Sequence, residues 1–268
     1  MDMRLFAAGI LLAAGFGAPA EARIICTIVA DAVNDEVILE KGDCESRVTP
    51  ASTFKIPLAV MGYDSGFLED ANEPVLPFMK GYPDWGGDAW RQPATPKRWM
   101  EFSIVWFSQR ITEFLGHEQL RDYADAFGYG NADMTGDPGK DNGLERAWIA
   151  SSLKISPREQ VAFLKKLVNH ELPVSADAMD RAMEVLERRD LADGWRAQGK
   201  TGRAYPRKAD GNLDYARPWG WYVGWARRDD RTVVFARLIQ DERKQEPRTS
   251  LRARDSVLKE LPGLLATD

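Results

Sequence analysis

Residues 24–40, IICTIVADAVNDEVILE, decide the fold: two β-rich runs flank the turn dipeptide Asn34-Asp35, so the chain opens with an antiparallel hairpin. Strand patterns return only at Arg196–Tyr205, Trp219–Arg227 and Arg231–Gln240, with a tight turn at Asp229-Asp230 joining the last two. Everything between reads as helix or loop. Helical spacing runs from Ala51 to about Gly66, from Lys97 to Leu115, from Glu118 to Phe127 and from Ser175 to Arg189. Ser156-Pro157-Arg158-Glu159 is a capping box with proline at the first helical position, which predicts a helix from Pro157 to Asn169. Asn72 to Pro96 is rich in Gly, Pro and Trp and reads as loop, and a helix from Leu251 to Leu265 closes the chain. This order predicts an α/β protein of the α+β type. Its antiparallel sheet is built from both chain termini and flanked by helices, with a helical region at about 66–192 inserted, and a crevice forms between the two parts.

Composition narrows the chemistry. The chain of 268 residues has 44% hydrophobic and 29% charged residues, as a globular protein with a sizeable core does. Its 36 Lys+Arg against 41 Asp+Glu leave no basic footprint for nucleic acid or an anionic membrane. Only two histidines are present, His117 and His170, without an H-E-x-x-H pattern, so no metal site is expected and any Ser-His-Asp triad has few candidates for its base.

The N-terminus reads as a secretory signal peptide over residues 1–22: Arg4, an apolar stretch from Leu5 to Ala14, and small residues suited to cleavage after Ala20 or Ala22. The remainder, 23–268, is expected to be one exported domain, periplasmic, free of the membrane once cleaved, and monomeric or homodimeric. In an oxidising compartment Cys26 and Cys44, which flank the hairpin, are expected to be joined; two buried free thiols are the alternative.

A serine can be activated without histidine if a lysine is held neutral beside it. Ser-x-x-Lys places the two on one helix face, but it occurs three times, at Ser52/Lys55, Ser151/Lys154 and Ser256/Lys259. Only Ser52, in Pro50-Ala51-Ser52-Thr53-Phe54-Lys55, opens an apolar helix that would bury its lysine. Ser103-Ile104-Val105, Tyr129-Gly130-Asn131 and Lys200-Thr201-Gly202 follow in order, and Ser-x-x-Lys with Lys-Thr-Gly is the signature of penicillin-recognising serine enzymes.

With PASTFK (50–55), SIVWFS (103–108), FGYGN (127–131), AWIASSLKIS (147–156), GKTG (199–202) and GWYVGW (220–225), the chain resembles the class D β-lactamases, or oxacillinases, over nearly all of its length after the leader. Val105, where penicillin-binding proteins and class A enzymes usually have Asn, points to class D. The resemblance implies the β-lactamase and penicillin-binding transpeptidase fold, and hydrolysis of penicillins through a Ser52 acyl-enzyme. It implies no separate cofactor, but a CO2-derived carbamate on Lys55 as general base, walled by Val105 and Phe54 and hydrogen-bonded by Trp148. Ser103 would relay a proton, the N–H groups of Ser52 and Arg203 would form the oxyanion hole, and Lys200, Thr201 and Gly202 would bind substrate. Arg252, with Arg248 as the alternative, would hold the substrate carboxylate. No chemical role is read for Tyr129-Gly130-Asn131 beyond a turn shaping the cleft floor. A penicillin-binding peptidase or a β-lactam sensor domain, which acylates without turnover, would share Ser52, Lys55 and Lys200.

Overall fold

The opening hairpin is β1 (Arg23–Asp31) and β2 (Val37–Gly42), paired antiparallel, in a computed structural model that describes residues 22–34 and 36–266. Apart from Ala22, the expected signal peptide lies outside the described residues. The hairpin connection is longer than a two-residue turn. Asp31 closes it, its carboxylate accepting from the backbone N–H groups of Val33 at 2.8 Å and Asn34 at 3.1 Å, so the side chain does the work expected of a tight turn.

A 3-10 turn at Ala51–Phe54 leads into α1 (Lys55–Asp64), followed by α2 (Pro96–Phe102), α3 (Val105–Phe127), α4 (Gly143–Arg146), α5 (Pro157–Val168) and α6 (Ala176–Glu184). The chain then forms β3 (Glu187–Asp190), β4 (Arg196–Ala204), β5 (Trp219–Arg228), β6 (Arg231–Gln240) and α7 (Thr249–Leu265). The strands make one antiparallel sheet in the order β2-β1-β6-β5-β4-β3, so the first and last strands of the chain lie side by side in its interior. The α+β architecture expected from the two strand-rich ends is therefore present.

Both faces of the sheet are covered, which is why β6 reads from Val233 to Ile239 as an apolar run, interrupted by Arg237, rather than an alternation. Val233 and Phe235 pack with Ala253, Val257 and Leu261 of α7 on one face. Val234, Ala236 and Leu238 face the larger core shared with the helices before β3.

The expected helix from Lys97 to Leu115 is interrupted: Ser103 caps α2 in the left-handed region (φ 57°, ψ 39°), and α3 starts at Val105. The break expected near residue 116 is a kink, with Gly116 at φ 72° inside α3. The helix expected to reach Arg189 stops at Glu184, and Glu187–Asp190 becomes the edge strand β3 because β4 offers it a ladder, from Glu187 against Gly199 to Asp190 against Arg196. Tertiary pairing there overrides a helical pattern that Val185 and Leu186 prolong.

Cys26 and Cys44 are joined, with Cα atoms 5.1 Å apart and a sequence separation of 18. Gly42, at φ +92°, lets the chain fold back on β1; a Cβ there would lie 2.0 Å from the Ile25 carbonyl oxygen. The bridge ties β2 to the start of β1, and closing such a loop stabilises by about 3 kcal/mol. Cys44→Ser is expected to lower the melting temperature by roughly 6–12 °C. Calorimetry of the purified variant checks this, and an unchanged transition would show that the hairpin is held by its ladder alone.

Candidate active site

The site forms where the helical region meets the outer end of β4. The 3-10 turn at Ala51–Phe54, the Ser103 link between α2 and α3, the segment carrying Trp148 and the β4 residues Lys200 and Thr201 together line a cleft of about 830 Å³. Ala51, at φ 50°, turns the chain sharply into the helix and leaves Ser52 half-buried at the cleft wall. The turn is anchored from outside: Ala51 N–H donates to the Trp148 carbonyl at 3.1 Å, Thr49 Oγ1 donates to the same oxygen at 2.9 Å, and the Trp221 indole N–H donates to the Thr49 carbonyl at 3.0 Å.

Lys55, the first residue of α1, is only 1% exposed. Phe54 and Trp148, stacked with centroids 5.5 Å apart, and Val105 are buried with it. Its Nζ donates to Ser108 Oγ at 2.7 Å and lies 5.6 Å from the Trp99 ring, and no carboxylate pairs with it among the described residues. Burial and, to a smaller extent, the charge of Lys200 push its pKa well below the ordinary lysine range. The amine is thus held in conditions that favour its neutral, nucleophilic form.

Ser103 owes its position to the left-handed cap of α2. Its hydroxyl is buried and without a hydrogen-bond partner among the described residues, although the residue lines the cleft. An orphaned hydroxyl at such a point is available to a reacting group. On the facing strand Lys200 is also buried, and among the described residues its Nζ finds only the Thr201 carbonyl at 3.2 Å and hydroxyl at 3.4 Å. Burial, partly offset by Glu187, holds its pKa down to about 8.

Two of the expected substrate-binding residues, Gly202 and Arg252, are not among those that line the cleft. Gly202 is where β4 meets the serine turn, and a Cβ would stand 2.8 Å from the Pro50 carbonyl oxygen and 3.0 Å from Thr53 Cγ2. Arg252 is turned away, ion-paired with the buried Asp241 carboxylate and donating to the Pro247 carbonyl at 2.9 Å, whereas exposed Arg248 lines the cleft. The Asp241 carboxylate separates them: Arg248 stands at the N-cap position of α7, whereas Arg252, one turn along, is held by Asp241. Arg203 lines the cleft and its guanidinium lies 5.5 Å from the Tyr205 ring. Neither histidine lines it.

Comparison with known proteins agrees with this geometry. The family described as penicillin binding protein transpeptidase domain matches residues 25–262. β-Lactamase OXA-9 of Klebsiella pneumoniae is 42% identical over 240 residues, covering 90% of this chain and 88% of that one. β-Lactamase OXA-1 of Escherichia coli is 34% identical over 236 residues, covering 87% and 82%. The crystal structure of the class D β-lactamase OXA-427 superposes with a TM-score of 0.84 at 47% identity, covering 90% of this chain and 98% of that one. The chain belongs to the class D β-lactamases.

For a class D β-lactamase, the buried partners of Lys55 are the informative addition. Ser108 and Trp99 escape sequence reasoning: Ser108 Oγ accepts from Lys55 Nζ and, at 2.9 Å, from the Trp99 indole N–H. A signal was present, since Ser108 is a lone hydroxyl directly after the apolar run Ile104–Phe107, all of it buried.

Lys200 loses its charge as pH rises through about 8, so kcat/KM for an anionic penicillin is expected to fall there. Lys200→Arg keeps the charge, and its alkaline limb should move up by more than about one pH unit. A pH–rate profile in which both enzymes share one alkaline limb would remove Lys200 from carboxylate binding.

Proposed function

We propose that this class D β-lactamase opens the lactam ring of penicillins and related antibiotics through a Ser52 acyl-enzyme, with Lys55, carbamylated by CO2, as general base. The observation that carries this reading is the buried, uncompensated Lys55 amine, one helical turn from Ser52 in a cleft without histidine. A neutral amine adds to CO2 with loss of one proton, and the apolar enclosure by Phe54, Val105 and Trp148 fits such a group. The carbamate supplies the base that takes a proton from the serine hydroxyl and, later, from a water molecule.

The residues of the chain carry the rest. Ser52 Oγ attacks the lactam carbonyl carbon, and the N–H groups of Ser52 and Arg203 stabilise the oxyanion. The carbon–nitrogen bond breaks, and the leaving nitrogen takes a proton through Ser103, whose hydroxyl is free of other protein partners among the described residues. Water then hydrolyses the serine ester. Lys200, Thr201 and Arg248 hold the substrate carboxylate; the position of Arg248 on the cleft wall supports it over Arg252. The joined Cys26 and Cys44 support an exported, periplasmic site of action. Among the described residues no helix is long and apolar enough to cross a membrane.

Mixing the purified protein with a chromogenic penicillin, with and without bicarbonate, tests the whole reading. Turnover that falls when CO2 is removed, and an acyl adduct seen by intact mass, are expected; both should vanish in Ser52→Ala. A long-lived adduct without turnover would instead identify a peptidase or a sensor domain. Arg248→Ala should raise KM about tenfold with a folded protein, for loss of one charged contact. Arg252→Ala should leave KM near wild type but cost about 3–5 kcal/mol of stability by stranding the Asp241 carboxylate. The opposite pattern in KM would restore Arg252 to the substrate site.

A further inference from the structure

Beneath the serine turn lies a chain of buried polar groups to which the reaction above gives no part. Gln160 of α5 is 1% exposed, and its Nε2 donates to Thr53 Oγ1 at 2.9 Å. Thr53 Oγ1 in turn donates to the Pro50 carbonyl at 2.8 Å, an oxygen that also accepts the Thr53 N–H at 3.2 Å. At the other end Tyr129, fully buried, brings its hydroxyl to 3.5 Å from Gln160 Oε1. Its ring is edge-on to Phe163 and 5.6 Å from Phe54.

The donors and acceptors run in one sense: the Gln160 amide N–H donates to Thr53, the Thr53 hydroxyl donates to Pro50, and the Tyr129 hydroxyl donates to the remaining amide oxygen. Hydrogen bonds aligned in this way polarise one another, and in a dry interior each member is costly to leave unpaired. The chain ends on the carbonyl that closes the 3-10 turn holding Ser52. It works against an adverse backbone, because Ala51 occupies the left-handed region, which residues with a Cβ rarely adopt.

We propose that Gln160 is a positioning residue for the nucleophile: through Thr53 Oγ1 it clamps the Pro50 carbonyl and so fixes the turn that aims the hydroxyl and the backbone N–H of Ser52. Tyr129 of the Tyr-Gly-Asn motif is the outer end of this clamp. The inference rests on Ser52 being the nucleophile, and it assigns to Tyr129 more than the shaping of a cleft floor.

Pre-steady-state acylation by a chromogenic penicillin, at saturating bicarbonate, tests it. Gln160→Leu and Thr53→Val, each confirmed folded by circular dichroism, should slow acylation roughly 10- to 100-fold, as misplacement of a reacting group does. Thr53→Ser, which keeps the hydroxyl, should recover most of the rate. The double variant Thr53→Val/Gln160→Leu should be no slower than the worse single one, because both break the same clamp. Acylation within twofold of wild type in the folded single variants, no recovery in Thr53→Ser, or losses that multiply in the double variant would overturn the proposal. If Gln160→Leu does not fold, Thr53→Val and Thr53→Ser decide between them. Ser52→Ala separates the two levels: activity surviving in it refutes the assignment of the nucleophile, whereas normal acylation of Gln160→Leu refutes only the clamp.

Discussion

An ammonium group sealed in an apolar pocket without a counter-ion is unfavourable, and Lys55 is placed in such a pocket by several parts of the fold at once. The 3-10 turn and α1 carry the lysine in, Phe54 and Trp148 close over it, and α2 and α3 bring Trp99, Val105 and Ser108 around its end. The outcome is a lysine whose neutral form is favoured, with one hydroxyl as its hydrogen-bond partner among the described residues. Much of the local architecture can be understood as sustaining that burial. The kinked chain at Ser103 lets α3 begin just where Val105 and Ser108 must face inward.

The sheet does a different task. By placing the first and last strands next to each other it makes β6 an interior strand, and β5, paired with β6, carries β4 beside the helical region. Gly202 then allows the strand to approach the serine turn at van der Waals distance, which brings the Lys200 cation and the neighbouring backbone N–H to the same cleft. The positive charges are divided by function. Lys200 and Arg248 stand at the cleft, while Arg237 and Arg252 are committed to Glu260 and Asp241 and serve the packing of α7.

Legibility in the sequence followed the range of the interactions. Ser52 and Lys55 were readable because their relation is a helical turn, and Lys-Thr-Gly because its residues act from adjacent positions on one strand. The capping box at Ser156 and Glu159 was readable for the same reason, and both of its hydrogen bonds are present. Ser108 and Gln160 were not, since their partners stand 53 and 107 residues away. The edge strand β3 was hidden because its hydrogen bonds come from β4, which no local pattern announces.

Arg252 shows where local reading runs out. Two arginines one helical turn apart carry the same charge and similar neighbours, and only the burial of Asp241 determines which of them is free to meet a substrate. The sequence by itself determined the fold class, the Ser52/Lys55 pair as candidates and the order of the motifs, because each depends on residue type and short spacing. Only the tertiary structure decided which hydroxyl meets the Lys55 amine, what braces the serine turn and which arginine faces the cleft. Those depend on the direction in which distant elements pack, and direction is a property of the assembled core.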